Sequence, residues 1–332
     1  MTGDPRPDAV GILGLGMYAP ERVVDNHWME GIVDTSDEWI VTRTGIRERR
    51  FAAAEDATSD LATRAAQAAM ADAGVGPEDV DLIICARVIG DMMFPATAAL
   101  VQRNLGARRA AAYDVVGGCS GWVYALHQAR GMIAAGLYRR VLVIGAEVLS
   151  RILDFQDRST CVLLGDAAGA VVLGPVPQGQ GILSSHLGCD GNLWELMYLP
   201  GGGSRRPASH ETVEQRLHYF RMNGRETYRH AVQVMEEASQ VALREAGLTV
   251  ADVDLFVPHQ ANLRIMQAVG RRLGLDDARI MVTVDRYGNT SSASIPVALE
   301  EARAAGRLER GSVALLVSFG TGLAWGAAVV RW

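Results

Sequence analysis

Apolar residues in this chain fall into short unbroken runs, punctuated by Gly, Asp and Pro and separated by Ala-rich stretches of helical period. Residues 9–19 (AVGILGLGMYA), 80–86 and 141–145 read as buried strands. The uncharged run 313–330 has the length of a membrane span, but Ser318, Gly320, Thr321 and Gly322 interrupt its middle. Two buried strands joined by a tight turn fit it better than a span. Residues 60–74 and 96–105 read as helices, and 160–174 as a strand, a Gly-Asp turn and a second strand. Residues 112–135 combine an apolar strand, a Gly-Gly corner, one cysteine and a helix. In that helix Trp122, Leu126, Ala129 and Ile133 recur at i, i+4, i+7 and i+11, and Gly136 is its stop signal. Residues 34–50 read as a polar loop with one Trp and several Arg, and 186–220 as a long loop. Continuous apolar strands alternating with helices predict an α/β protein whose sheets are covered on both faces.

The pattern occurs twice. AGVGPEDVDL from Ala73 matches AGLTVADVDL from Ala246, an offset of 173 residues. Ala135-Gly136 and Ala305-Gly306 end two further helices at an offset of 170, which carries Gly118-Cys119 onto Gly288-Asn289. A period this long excludes a solenoid and predicts a duplicated α/β unit. We expect one compact body with halves at 1–180 and 181–332.

Composition narrows the function. The chain has 332 residues, 49% hydrophobic and 21% charged, an ordinary soluble globular balance. A net charge of −6 argues against a nucleic-acid partner. All 32 basic residues are Arg, which excludes a Schiff-base or P-loop lysine. Cys85, Cys119, Cys161 and Cys189 form no CxxC pair and no metal spacing with histidine, so free thiols in a reducing cytoplasm and no metal are expected. Residues 1–8 lack the basic-then-apolar signal pattern.

Three polar residues stand at strand-to-helix corners, where α/β folds place their chemistry. Gly117 and Gly118 let the chain turn just before Cys119, which would sit on the first turn of its helix. That position favours a thiolate. The competing reading is a buried structural cysteine. His259 alone of the seven histidines occupies such a corner, in VPHQANLR. Asn289, in DRYGNTSSASIP, occupies a third, although Asn there is often a helix cap.

The blocks DTSDEWIVTRTGIRER, GGCSGW, GDAAGA, VPHQANLR, DRYGNTSSASIP and FGTGLAWG span residues 34–327. Together they resemble the signature of β-ketoacyl-acyl-carrier-protein synthase III. The resemblance implies a thiolase-like fold in five αβαβα layers, a homodimer, and an acyltransferase that starts fatty-acid synthesis without a cofactor. It implies that Cys119 holds an acyl group taken from acyl-CoA and that His259 and Asn289 handle malonyl-acyl-carrier protein. It places an oxyanion and gate loop at Phe319, Gly320, Thr321 and Gly322. Trp39 and Arg158 would sandwich the CoA adenine, with Arg43 at a phosphate and Thr35, Gly224 and Asn262 along the pantetheine arm. Arg229, Gln260, Ala261, Asn262, Leu263 and Arg264 would face the carrier protein, and Phe94 and Trp122 would shape the acyl pocket. Arg221, Arg225 and Arg229, spaced by four, would share one helix face, and Arg271 and Arg272 follow on the helix after His259. A rival reading keeps the family and changes the acceptor to that of a secondary-metabolism acyltransferase or condensing enzyme.

Overall fold

The computed structural model describes Pro7 and residues 9–332; the other residues of the run 1–8, read above for a signal pattern, lie outside them. The chain opens with β1 (Ala9–Tyr18). A small ribbon of β2 (Val23–Asp25) and β3 (Glu48–Arg50) then encloses α1 (Asn26–Glu30) and α2 (Asp37–Thr44). α3 (Thr58–Ala73), β4 (Leu82–Ala86), α4 (Thr97–Leu105), β5 (Ala111–Val115), α5 (Gly121–Ala134), β6 (Val141–Glu147), α6 (Arg158–Cys161) and β7 (Ala167–Val176) complete the first sheet and its helices. The second begins with β8 (Gly181–Cys189). A ribbon of β9 (Met197–Tyr198) and β10 (Arg221–Met222) holds α7 (His210–Glu214) in its connection. There follow α8 (Gly224–Glu245), β11 (Leu255–Pro258), α9 (Leu263–Leu273), α10 (Val284–Tyr287), α11 (Ser294–Ala304), β12 (Val313–Gly320) and β13 (Ala324–Arg331).

The two main sheets repeat one plan. The first has the order β1-β7-β6-β4-β5 and the second β8-β13-β12-β11. In each, the outer strand and its neighbour are antiparallel and the last pairs are parallel. Where β5 lies beside β4, a parallel bridge from Phe256 to Ile280 occupies the equivalent place beside β11.

Alternation along the strands makes the layers. Leu82, Ile84 and Ala86 of β4 face a central cluster, and Ile83 and Cys85 face an outer one. The central cluster joins Trp122, Leu126, Ala129 and Ile133 of α5 to Ile295 and Leu299 of α11, between the two sheets. α3 and α4 cover the outer face of the first sheet, and α8 and α9 that of the second. The result is the expected five layers. At Gly14 and Gly16 of β1, an added Cβ would fall 2.4 Å from the backbone nitrogens of Ala73 and Ala69. The alanines of α3 therefore rest directly on the strand, which explains both compositions. Among the described residues, no helix is long and apolar enough to cross a membrane. Residues 313–331 form the β12–β13 hairpin as expected.

Three stretches differ from expectation. Residues 34–50 are not a loop: α2 forms there, capped by Ser36 at its start and by Gly45 at φ 80 at its end. Only Ile40 and Thr44 are buried, so capping rather than an apolar stripe identifies this helix. Residues 160–166 are not a strand. The guanidinium of Arg49 takes Val162 O, while Leu163 O and Gly165 N bond across to the Asn289 backbone. Residues 186–220 are not one long loop: β8 extends to Cys189 against β13, and a 3-10 turn, β9 and α7 follow.

Candidate active site

Cys119, His259 and Asn289 line one pocket, together with Phe319, Thr321 and Ser291. Its remaining walls are mostly apolar, from residues such as Leu149, Ile152, Met197 and Phe220.

Cys119 lies on a single 3-10 turn, Gly118–Ser120, that leads into α5. Gly118 adopts φ 57, and a Cβ there would meet Thr321 N at 2.6 Å. A Cβ on Gly320 would fall 2.4 Å from Cys119 N. The two glycines thus allow the Cys119 turn and the β12–β13 turn to touch backbone to backbone. Ser318 Oγ donates to Cys119 O at 2.9 Å and Ser120 Oγ to Ala324 O at 3.0 Å, tying the two turns together. Burial opposes the expected thiolate. Burial pushes the Cys119 thiol up to about 12, against a lowering by Ser291 and by the cysteine's own backbone N–H. Desolvation by the apolar walls outweighs the helix start.

His259 follows β11 and is 1% exposed, with its backbone N–H bonded to Val317 O at 2.8 Å. Its ring meets that of Phe319 edge-on, with centroids 5.9 Å apart. Burial alone drives its pKa down to about 3, so the imidazole is neutral. Nδ1 lies 2.6 Å from Ser294 Oγ, on the first turn of α11. That hydroxyl already accepts from Gln260 N, at 3.4 Å, and has no other acceptor among the described residues. Donation from Ser294 to Nδ1 satisfies the buried hydroxyl and leaves the ring proton on Nε2.

Asn289 is fixed by its backbone between Leu163 O and Gly165 N. Its Oδ1 accepts from Ser291 N at 2.9 Å, which leaves Nδ2 without a partner among the described residues. The pocket therefore presents two neutral donors, His259 Nε2–H and Asn289 Nδ2–H. Sequence reasoning missed Ser294 and Ser291, because a serine near a helix start reads only as a cap.

The other expected residues divide. Thr35 has a buried hydroxyl without a partner, and Asn262 lines the pocket while bonding Arg43 O and capping α9. The guanidinium of Arg158 lies 5.3 Å and that of Arg43 4.9 Å from the Trp39 ring centre. Both guanidinium groups thus rest beside the indole. Gly224 is the exposed first residue of α8. Gln260 and Ala261 are corrected as carrier-protein contacts. Both are buried, and the Gln260 amide is used up by Pro258 O, Met281 O, Thr283 N and Val284 N. Arg221 lies in β10, off the helix, so only Arg225 and Arg229 share its face. Arg229 and Arg264 are exposed; Arg229 pairs with Glu226, Arg264 reaches over Tyr228, and Leu263 is half-buried beside it. Trp122 is corrected as an acyl-pocket residue: it is 1% exposed inside the central layer and off the pocket wall. Phe94 is 79% exposed, on a loop away from this chain's own pocket.

Comparison with known proteins identifies the family. Residues 113–191 match the family model for 3-oxoacyl-(acyl-carrier-protein) synthase III, and residues 243–332 match the model for its C-terminal part. The β-ketoacyl-acyl-carrier-protein synthase III of Symbiobacterium thermophilum is 60% identical over 97% of this chain and 98% of its own length. That of Caldanaerobacter subterraneus is 52% identical over 98% of both chains. The crystal structure of the Thermus thermophilus enzyme superposes with a TM-score of 0.91 at 51% identity, over 97% of this chain and 99% of that one.

Proposed function

This chain belongs to the β-ketoacyl-acyl-carrier-protein synthase III family and is an acyltransferase that joins an acyl-CoA primer to malonyl-acyl-carrier protein, the initiating condensation of fatty-acid synthesis; we propose the following roles for its residues. Cys119 attacks the primer thioester and holds the acyl group, releasing CoA. The backbone N–H groups of Cys119 and Thr321, held side by side by Gly118 and Gly320, receive the negative oxygen of the tetrahedral state. Malonyl-acyl-carrier protein then loses CO₂. His259 Nε2–H and Asn289 Nδ2–H donate to the enolate oxygen, and its carbon attacks the acyl carbon on Cys119 to give 3-oxoacyl-acyl-carrier protein. No step calls for a metal or an organic cofactor. The observation that carries this reading is the pair of neutral, pre-aimed donors facing a single thiol.

The same pair disfavours acyl transfer to an alcohol or amine. Such an acceptor must lose a proton, and a His259 with its Nδ1 lone pair taken by Ser294 and a pKa near 3 is a poor base. The direct test is product analysis with acetyl-CoA and malonyl-acyl-carrier protein. Equal yields of CO₂, CoA and 3-oxoacyl product support the reading, and CoA release without CO₂ refutes it.

Ser294→Ala is expected to slow decarboxylation about tenfold by freeing the His259 tautomer, with recovery in Ser294→Thr. Single-turnover decarboxylation and the ¹⁵N shifts of His259 check it. At pH 5 the imidazole stays neutral, so protonation of His259 should not limit the acid side of the profile.

CoA binding is assigned to Thr35, Trp39, Arg43, Arg158, Gly224 and Asn262; of these Asn262 lines the pocket and bonds Arg43 O. Carrier-protein steering is assigned to Arg229 and Arg264, since an acidic partner must find a local positive patch on a protein of net charge −6. Reversing both to Glu should raise the KM for malonyl-acyl-carrier protein about tenfold, with less effect at high salt, while Cys119 acylation by acyl-CoA stays near the original rate. An unchanged KM would remove these two residues from the docking surface. Homodimer formation is supported by the exposed apolar side chains of Met92, Met93, Phe94 and Val116 and by the edge of β5, which is unpaired among the described residues. The acidic charge and free thiols support a cytoplasmic site of action.

A further inference from the structure

Arg49, at the centre of β3, is the only basic residue among those described that is fully buried, at 0% exposed. No carboxylate pairs with it among the described residues. Nη1 donates to Val24 O at 3.1 Å and Asn26 Oδ1 at 2.9 Å, and Nη2 to Asn26 Oδ1 at 2.9 Å and Val162 O at 2.7 Å. Its Nε–H has no partner. The two carboxylates buried as deeply are occupied elsewhere: Glu147 accepts from Ser292 N and Oγ, and Asp166 from Ala52 N and from Ser150. A buried cation with neutral partners is destabilising, and an apolar side chain of similar volume would fill the space without that cost. What an apolar side chain cannot do is grip oxygens on β2, α1 and the segment 162–166 together.

Asn289 hangs from that last segment. Leu163 O accepts from Asn289 N at 2.8 Å, and Gly165 N donates to Asn289 O at 3.0 Å. The segment is fixed to β3 at both ends. Asp166 N donates to Arg50 O at 2.8 Å, while Val162 O receives the Arg49 guanidinium. The Arg49 stem lies against both chains: an added Cβ on Gly165, or on Gly288 just before Asn289, would fall 3.1 Å from Arg49 Cβ. The guanidinium is itself aimed. Asn26, 1% exposed, receives both Nη groups on Oδ1, and its Nδ2 donates to Asp37 Oδ1 and Ile46 O, each at 2.8 Å. Asp37 opens α2 and Ile46 follows its Gly45 cap, so a capped helix sets the seat of Asn26.

We infer that Arg49 is a positioning residue for Asn289. By holding Val162 O it fixes where segment 162–165 presents the Asn289 backbone, and so where Nδ2–H stands in the pocket. The bond from Ser291 N to Asn289 Oδ1 turns the amide relative to its own turn. The backbone anchor places that turn relative to Cys119 and His259, which come from other segments. Arg49 does not line the pocket, so it acts only through Asn289 and its neighbours. A shift of about 1 Å at a donor aimed at developing charge is enough to slow a reaction by roughly a hundredfold.

The inference rests on Asn289 as a donor to the malonyl enolate. Arg49→Met keeps the stem and removes the guanidinium. CO₂ release from malonyl-acyl-carrier protein on pre-acetylated enzyme is expected to fall about tenfold or more. The fall should lie in the maximal rate, with the half-saturating concentration nearly unchanged, while CoA release from acetyl-CoA stays near the original rate. The same change made in Asn289→Ala should slow CO₂ release no further, because the residue it acts through is gone. A merely structural arginine would slow both half-reactions and add its loss to that of Asn289→Ala. Unchanged CO₂ release in folded Arg49→Met, an equal fall in both half-reactions, or a full additional loss in the double variant would overturn the inference. If a melting curve shows that Arg49→Met does not fold, Asn26→Ala, which removes the shared acceptor of both Nη groups, takes its place and decides by the same outcomes. An Asn289→Ala protein that releases CO₂ at the original rate would overturn the reading beneath it.

Discussion

His259→Ala and Asn289→Ala are each expected to cut malonyl-acyl-carrier-protein decarboxylation by about 10²- to 10³-fold while Cys119 acylation changes little. Each variant removes one of two donors aimed at the oxygen that gains charge only as CO₂ leaves. The effect is large because the donor is buried: His259 is 1% exposed, with the Phe319 ring edge-on to it. Neither residue contacts the primer's leaving sulfur in the proposed chemistry, so the first half-reaction is spared. The double variant should be no worse than the sum of the singles, since both donors serve one oxygen. Radiolabelled CO₂ release and CoA release, measured on the same preparations, separate the two steps. Equal loss of both would contradict this division.

Gly320→Ala carries the second large effect, a fall of about a hundredfold or more in acylation itself. The added methyl would fall 2.4 Å from Cys119 N and 3.1 Å from its Cβ, so the obstacle is backbone with no flexible end to move. The turn must retreat, and with it the Thr321 N–H that completes the proposed oxyanion site. Gly118→Ala should act the same way, through its φ of 57 and the 2.6 Å approach to Thr321 N. Burst kinetics of CoA release check the fall, and circular dichroism with a melting curve shows that the fold persists. A Gly320→Ala protein that acylates at the original rate would show that close contact between the two turns is not needed.

The layers were legible because buried strands write themselves as apolar runs, and the second copy wrote the same runs again near an offset of 170 residues. The Cys119, His259 and Asn289 corners were legible because glycine and the strand ends mark them. The misreadings have different causes. α2 carries its information in Ser36 and Gly45 rather than in periodicity. Residues 160–166 look like a strand, yet their hydrogen bonds go to Arg49 and Asn289. Trp122 looked like a pocket residue because it follows the nucleophile, but helical geometry turns it into the central layer. The opposing pull on the thiol was not legible, because position on a turn is visible in sequence, whereas the apolar wall that desolvates it comes from both halves. Glu147 did leave a signal, a lone carboxylate closing the run VLVIGAE. Its partner is Ser292, whose N–H and hydroxyl bond it and which the second half of the chain brings to it.

The central claim is that Cys119 holds the acyl group. The absence of lysine means that trypsin cuts this chain only after arginine, so residues 110–130 are released with Cys119 as their sole cysteine. After brief incubation with acetyl-CoA, quenching in acid and digestion, the account predicts one acetyl group on that peptide, removed on addition of malonyl-acyl-carrier protein. An acetyl group on the peptides of Cys85, Cys161 or Cys189, or a label that malonyl-acyl-carrier protein fails to discharge, would contradict it.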